Sequence, residues 1–374
     1  MLNCLSKAPK SKLRGTAILR LDFNTQDSWR MEAALPTIRR LLRTAERVVI
    51  ISHRGRPTGV QLRHGYPYGF DSKVSLKKDA LVLQKLLKKK VGFIPHFRFE
   101  DIRTELADAP KHSLFLLENL RFIKGESDDK PHVARALASL GDFFVDEAFA
   151  VAHRTAASDV GITRFLPSYA GLGLEKEVAV LSKVMKKPAQ PLVLILGGGK
   201  AHDKMGVLRH FKKSARFILF GGAPANTLLS LSGVNVKQSL IDQDISDFPD
   251  FQNVLKYPSC VLPRDFVVEK DKIVDIGHLT TKEFIAILKT ARTVIWSGPL
   301  GRIEKKRFTK GSLAIARTIV ANKKAFSVTG GGETVMFLKK YKLDKKFSFI
   351  STGGSAMLDF LAGEKLPGVE VLKK

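Results

Sequence analysis

The stretch that most constrains this chain is PLVLILGGGKAHDK, residues 191–204, near its midpoint. Its first six residues, 191–196, form an unbroken apolar run, as a strand buried on both faces of a parallel sheet requires. Gly197, Gly198 and Gly199 then remove every side chain where the backbone must turn. From Asp203 the pattern becomes helical, with Val207, Leu208 and Phe211 on one face. A strand, a glycine turn and a helix N-terminus together make an anion site, because backbone N–H groups and the helix dipole point at the same place. Lys200 and Lys204 add two cations beside it. Neither G-x-x-x-x-G-K-[ST] nor G-x-G-x-x-G fits, since Ala201 follows Lys200 and no third glycine has the needed spacing. Taken alone, the stretch reads equally well as a tight strand-to-helix turn with surface lysines.

Recurrence tips the balance. Residues 216–220 run into Gly221-Gly222, and Asp275-Ile276 into Gly277 before a helix over 282–291. Residues 293–296 run into Ser297-Gly298-Pro299-Leu300-Gly301, and 325–329 into Gly330-Gly331-Gly332-Glu333-Thr334. Residues 347–352 run into Gly353-Gly354-Ser355 and a last helix over 356–361. In an open α/β sheet, ligands bind beyond the carboxyl ends of the strands. An edge made of glycine lets a flat base and a polyphosphate approach the backbone.

The first half alternates strands and helices too, so it predicts a second parallel sheet. A strand over 16–24, with Leu19, Leu21 and Phe23 alternating against polar neighbours, ends in Asp22-Phe23-Asn24. A helix over 31–46 follows, then a strand over 47–52 that ends at His53-Arg54-Gly55-Arg56. The strand over 113–117 leads to Arg121, and that over 142–145 to Asp146-Glu147, His153 and Arg154. Arg30, Arg56, Arg121 and Arg154, with His53, stand at equivalent topological places and suit one multiply anionic ligand, since the guanidinium fork matches phosphate and carboxylate. Residues 165–187 read as a loop and an amphipathic helix entering the central strand, hence the connector. One arginine-rich edge and one glycine-rich edge across a hinge suggest phosphoryl transfer between a small anion and ADP or ATP, completed by closure.

Composition narrows the alternatives. A chain of 374 residues has room for two cores. Its two cysteines, Cys4 and Cys260, exclude a disulfide framework and a cysteine-based zinc site. No apolar run is long enough to span a membrane and the N-terminus lacks a signal peptide's apolar core, so a cytoplasmic protein without a membrane partner is expected. The net charge of +27 invites polyanions. The cations are spread over amphipathic helices without a nucleic-acid-binding motif, so no specific nucleic acid is expected.

RLDFN, ISHRGRPTG, LLENLRF, DEAFAVAHR, LGGGKAHDK, TVIWSGPLG, TGGGET and STGGSAMLDFLAGEKLPGVE occur in an order and spacing that resemble phosphoglycerate kinase from Thr16 nearly to the C-terminus. The resemblance implies two doubly wound, Rossmann-like α/β domains. They are a phosphoglycerate-binding domain at 1–168, a hinge helix at 169–189, a nucleotide-binding domain at 190–355, and a segment from 356 to 374 returning to the first domain. It implies Mg²⁺, ADP/ATP and 3-phosphoglycerate or 1,3-bisphosphoglycerate as ligands, and a monomer. By motif position Asp22, Asn24, Arg30, His53, Arg56, Arg121 and Arg154 would hold the glycerate and its phosphate. Arg30, Lys200 and Lys204 would be catalytic. The nucleotide would meet Gly198, Gly199, Lys200, Lys204, Gly222, Gly277, Gly298, Glu304, Gly331, Gly332, Glu333 and Thr334, with Glu333 linked to the metal.

The chain departs from the family pattern at several places. GGGDT is GGGET here, WNGP is WSGP, TGGGA is TGGSA and NDAFGTAHR is DEAFAVAHR, which puts Glu333, Ser297, Ser355, Asp146 and Glu147 at altered positions. Arg54 adds a cation beside His53. An active kinase is the main expectation. The alternative is a weakly active or regulatory kinase-like protein that binds the same ligands.

Overall fold

The computed structural model describes residues 1–25, 27–243 and 253–373. The chain forms two compact units, Met1–Ala179 with Lys365–Lys374, and Val180–Glu364.

The first unit is built on six parallel strands: β1 (Thr16–Arg20), β2 (Arg47–Ile51), β5 (Gly92–Ile94), β6 (Ser113–Leu117), β7 (Phe143–Asp146) and β8 (Ser168–Ala170). Their order is β5-β6-β2-β1-β7-β8, with β3 (Gln61–Arg63) and β4 (Tyr66–Tyr68) forming a separate exposed hairpin. Ile18, Val49, Leu117 and Phe144 face one side and pack on the helices Phe99–Asp108 and Pro131–Ala138. Leu19, Ile50, Leu116 and Val145 face the other and pack on Trp29–Thr44 and Lys77–Leu87. A sheet covered on both faces has no polar face. The alternation expected over 16–24 therefore fails, and every residue of β1 is buried, Arg20 included. The helix Phe99–Asp108 and the edge strand β8 are additions to the sequence reading.

The second unit repeats the plan with β9 (Leu192–Leu196), β10 (Phe217–Phe220), β11 (Cys260–Val261), β14 (Thr293–Ser297), β15 (Phe326–Gly330) and β16 (Phe349–Ile350). Their order is β11-β10-β9-β14-β15-β16, all parallel, with Leu194 level with both Ile218 and Ile295. After β11 the chain forms β12 (Phe266–Glu269), paired antiparallel with β13 (Lys272–Ile276). Val193, Ile195, Val294 and Trp296 pack against His278–Thr290 and Lys310–Ala321 through Phe284, Leu288, Ile315 and Ile319.

The division between units falls within the helix Leu172–Lys186 and again after Glu364. The helix Ser355–Leu361 lies in the second unit on Met205–Phe211, so the return to the first unit starts at Lys365 rather than at 356. There the Asn3 N–H donates to the Leu372 carbonyl at 2.8 Å, and the Gly368 N–H to the Ala152 carbonyl at 2.9 Å.

Candidate active site

In the first unit β1 lies between β2 and β7, and the chain proceeds outward from it on both sides. The carboxyl ends of these strands flank a topological switch point, where an open α/β sheet leaves a crevice. Arg30, in the first turn of Trp29–Thr44, is ion-paired with Asp22. Asp22 Oδ1 also accepts the Asn24 N–H at 2.7 Å, and Asn24 Oδ1 accepts the Gly55 N–H at 2.9 Å. Arg121 Nη1 donates to the Gly55 carbonyl at 2.6 Å. Asn24 and Arg121 thus pin the loop that carries His53 and the exposed Arg56.

His53 is 2% exposed and lines a pocket of about 90 Å³ with Arg20, Arg121 and Arg154. Arg20 Nη2 lies 3.1 Å from His53 Nδ1. A guanidinium carries donors only, so Nδ1 accepts and the imidazole proton sits on Nε2. Burial first, then the positive charges of Arg20, Arg121, Arg154 and Arg30, hold the His53 pKa well below its ordinary value. The ring is neutral and offers one N–H, which makes it an anion donor and not a base. The cations also crowd one another: Arg121 is pushed down by burial and then by Arg154, with Arg20 and Arg56 adding to it. An anionic ligand relieves that repulsion.

Arg54 does not join them. Its guanidinium bonds Asp79, Nε to Oδ2 at 3.1 Å and Nη2 to Oδ1 at 2.5 Å, which satisfies a buried carboxylate. His153 sits beside Arg154, whose Nε approaches its Nε2 at 3.2 Å. Arg20, the residue that fixes His53, is absent from the sequence-based set. A lone arginine inside an apolar strand is the signal that could have found it.

In the second unit β9 lies between β10 and β14, again a switch point, and the loops beyond them enclose a cavity of about 460 Å³. Gly198, Gly199, Gly222, Glu304 and Glu333 line it. The glycines divide into two kinds. Gly222 and Gly298 have positive φ, and a Cβ on them would come within 2.7 Å of the Gly198 carbonyl and 2.2 Å of the Gly197 carbonyl. They let three loops stack backbone on backbone, tied by Gly198 N–H to Pro299 O at 2.7 Å and Ala223 N–H to Gly198 O at 2.9 Å. A Cβ on Gly331 or Gly332 would meet nothing within 4 Å. These two, at the start of the helix Gly332–Lys340, leave N–H groups open to an anion.

Gly277 belongs to neither kind. It caps His278–Thr290 against the Asp265 carboxylate and is not among the residues that line the cavity. Thr334 is buried, and its hydroxyl accepts the Gly298 N–H at 3.2 Å, tying a loop. Asp275 is a wall residue that sequence reasoning missed. It is 1% exposed, accepts N–H groups from Gly311 at 2.8 Å and Ile276 at 3.0 Å, and burial pushes its pKa up to about 6.

Lys204 is 9% exposed; burial lowers its pKa, opposed by Asp203 and Glu333 and assisted by Lys200. It is a poorly hydrated cation beside the glycine edge, whereas Lys200 is exposed. The turn His202–Lys204 that carries it is fixed by His202, whose ring nitrogens lie 2.9 Å from Asp203 and 2.9 Å from Asp242. Ser297 is buried at the end of β14, and Ser355 is exposed at the start of its helix. No helix among the described residues is long and apolar enough to cross a membrane.

A phosphoglycerate kinase family model matches residues 14–364. The phosphoglycerate kinase of Pseudothermotoga lettingae is 37% identical over 383 residues, covering 94% of each chain. That of Dictyoglomus turgidum is 35% identical over 391 residues, covering 96% of each. Among solved structures, phosphoglycerate kinase from Pyrococcus horikoshii matches with a TM-score of 0.84 at 28% identity, over 99% of this chain and 98% of that one. The Coxiella burnetii phosphoglycerate kinase matches with a TM-score of 0.79 at 29% identity, over 100% and 99%. Two six-stranded parallel sheets, each with an anion-ready crevice at its switch point, and a family match over almost the whole length lead to one conclusion: the chain belongs to the phosphoglycerate kinase family.

Proposed function

We propose that this chain transfers a phosphoryl group reversibly from 1,3-bisphosphoglycerate to Mg-ADP, giving 3-phosphoglycerate and Mg-ATP. The observation that most supports this is Lys204, a buried lysine beside the open glycine edge with Glu333 near it. A desolvated cation there stabilises charge on a phosphoryl group far better than a hydrated one. The first unit holds the glycerate through Arg30, Arg121, Arg154 and the Nε2–H of His53, and Arg56 at its exposed rim completes the set. The second holds the nucleotide against Gly198, Gly199, Gly331 and Gly332, with Glu304 at the ribose.

The nucleophile is already an anion, an ADP phosphate oxygen one way and a carboxylate the other. No general base is needed, which agrees with a neutral His53 already bonded to Arg20. In-line positioning and cancellation of charge over the equatorial oxygens carry the rate. Arg30 supplies that charge from the first unit, and Lys204 and Lys200 from the second.

Mg²⁺ fits the residues present. No cluster of three or more His, Cys, Asp or Glu able to hold a metal occurs among the described residues, and Mg²⁺ asks for one or two carboxylates plus substrate phosphates. Glu333 is exposed on the cavity wall and would be that carboxylate, whereas Asp275 is committed to backbone N–H groups. When bound, the ion neutralises the nucleotide's phosphate oxygens. Closure of the two units about Leu172–Lys186, and action as a cytoplasmic monomer, are parts of the same reading.

The test is 3-phosphoglycerate-dependent ATP consumption with Mg²⁺, coupled to reduction of the acyl phosphate. Turnover lost in Lys204→Ala is expected. No turnover in the wild type, with both ligands still binding by calorimetry, would overturn the proposal.

A further inference from the structure

Three buried carboxyl groups that the reaction above does not use lie at the arginine pocket, two of them, Glu126 and Asp159, in its wall. Asp146 at the end of β7, Asp159 and Glu126 are 0%, 1% and 3% exposed. Glu126 is provided for, since Oε1 accepts the Ser158 hydroxyl at 2.6 Å. Asp146 Oδ1 accepts the Ala148 N–H at 2.8 Å. Asp146 Oδ2 and both Asp159 oxygens receive no N–H or hydroxyl from the other described residues. What they face is each other. Two buried carboxylates that face each other with three oxygens lacking any other donor do not both ionise, so they share a proton.

The same cluster holds Arg20, whose Nε donates to Ser158 Oγ at 3.1 Å and whose Nη2 donates to His53 Nδ1 at 3.1 Å. The charged and titratable neighbours are Arg20 from β1, His53 after β2, Glu126, Glu147 next along the chain, and Arg121 and Arg154, which line the same pocket as Asp159. The C-terminal segment brings only backbone, and a Cβ on Gly368 would lie 3.0 Å from Asp159 Oδ1. Among the described residues Arg20 is the fully buried cation that acts on both carboxyls, with Arg121 and Arg154 farther out in the pocket. Burial and then the Asp146 charge hold the Asp159 pKa well above the carboxylate range, and burial raises that of Asp146. The pair accordingly holds its proton above the ordinary carboxylate range.

We propose that Asp146 and Asp159 share one proton and act as a positioning pair for Arg20 and, through it, for His53, so that affinity for the phosphorylated acid falls when the pair ionises. The inference rests on the functional reading above for its substrate and on geometry for the rest. Loss of the shared proton places a second negative charge beside Arg20. The guanidinium is then drawn from His53 Nδ1, which frees the Nε2–H tautomer to change and lowers the positive potential of the pocket. Asp146 also stands where the family pattern NDAF carries Asn, so the device belongs to this chain's own sequence.

The experiment is calorimetry of 3-phosphoglycerate from about pH 6 to about pH 9, with imidazole nitrogen NMR of His53 in the same samples. In the wild type the dissociation constant is expected to rise about tenfold or more toward alkaline pH while the Nε2–H tautomer is lost. In Asp159→Asn, whose amide N–H replaces the shared proton, affinity and tautomer stay constant across the range. Asp146→Asn is the second variant should the first fail to fold, with the same expectation. Parallel pH profiles in wild type and variants would overturn the proposal. The imidazole signal needs no substrate, so it judges the pair even if 3-phosphoglycerate fails to bind, an outcome that would overturn the functional reading instead.

Discussion

The two ligand edges answer one demand, the holding of a polyanion, with different materials. The edge of the first unit is built of side chains, and its inner cations are fixed by buried groups: Arg30 by Asp22, Arg20 by Ser158 and His53. The edge of the second unit is built of backbone, with glycine loops stacked on one another and a single buried lysine. Their cavities differ accordingly, about 90 Å³ against about 460 Å³, room for a small acid and for a nucleotide respectively. A site made of charges needs counter-charges beneath it. A site made of N–H groups needs only the space that missing side chains leave.

The sharpest way to test that contrast is to remove one transferring cation from each edge. Lys204→Ala and Arg30→Ala should each lower kcat by about 10²- to 10⁴-fold while changing ligand dissociation constants far less. The variants should differ in stability. Arg30→Ala strips the buried Asp22 of its partner and should lower the melting temperature, whereas Lys204→Ala removes a desolvated charge and should not. Near-normal turnover in either variant would remove that residue from the transition state.

Next comes the division among the glycines. Gly298→Ala forces a Cβ to 2.2 Å from the Gly197 carbonyl at a positive φ, so about 3 kcal/mol or more of stability should be lost. Gly332→Ala meets nothing within 4 Å, and stability should stay within about 0.5 kcal/mol. Any weakening of ADP binding by Gly332→Ala then reports on the anion site itself. Urea melts and ADP titrations of the pair decide it, and equal destabilisation by both would erase the distinction between packing and binding glycines.

A smaller effect separates a pocket cation from a structural one. Arg54→Ala leaves Asp79 buried without its partner and should cost about 2 kcal/mol, with KM for 3-phosphoglycerate within about twofold. A large KM change with normal stability would return Arg54 to the substrate site.

The sequence carried the two-sheet architecture plainly, because apolar runs ending in Gly or Arg recur at the spacing of strand-and-helix units. The placement of the candidate residues at strand ends was legible for the same reason. Asp22, His53, Arg121 and Arg154 all lie at one edge, and Gly198, Gly222, Gly298 and Glu333 at the other. What could not be read was the direction in which a side chain or a glycine is used. Arg20 looked like the polar partner of Leu19 and Leu21, because alternation along a strand says nothing about a second covered face. Gly277 looked like Gly222, because a helix cap and a loop-to-loop contact both require a missing Cβ. Asp159 carried no signal at all, since its meaning comes from Asp146 and Gly368, both distant in sequence.

The smallest expected effect concerns protons, and it distinguishes the units by pH window. Glu147 follows β7, and its carboxylate accepts the Gly173 N–H at 2.9 Å at the start of the connecting helix. Burial chiefly raises its pKa to about 8, although solvent still reaches part of the residue. Asp275, beneath the nucleotide cavity, is raised by burial to about 6. A carboxyl whose folded pKa is raised binds a proton that the unfolded chain releases. Its contribution to stability is complete below the unfolded pKa and is lost as pH rises through the folded one. The loss runs from the ordinary value of 3.8 to about 6 for Asp275, and from 4.5 to about 8 for Glu147, with a slope of at most about 1.4 kcal/mol per pH unit for each proton. Asp275→Asn should flatten the lower part of the urea-midpoint profile and leave the decline above about pH 6. Glu147→Gln should flatten the profile from about pH 6 to about pH 8 and leave the Asp275 decline below it in place. A wild-type profile that Glu147→Gln follows in parallel throughout would show that Glu147 is already ionised in the folded protein. The root of the connecting helix would then be held by a carboxylate, as a helix N-terminus ordinarily is.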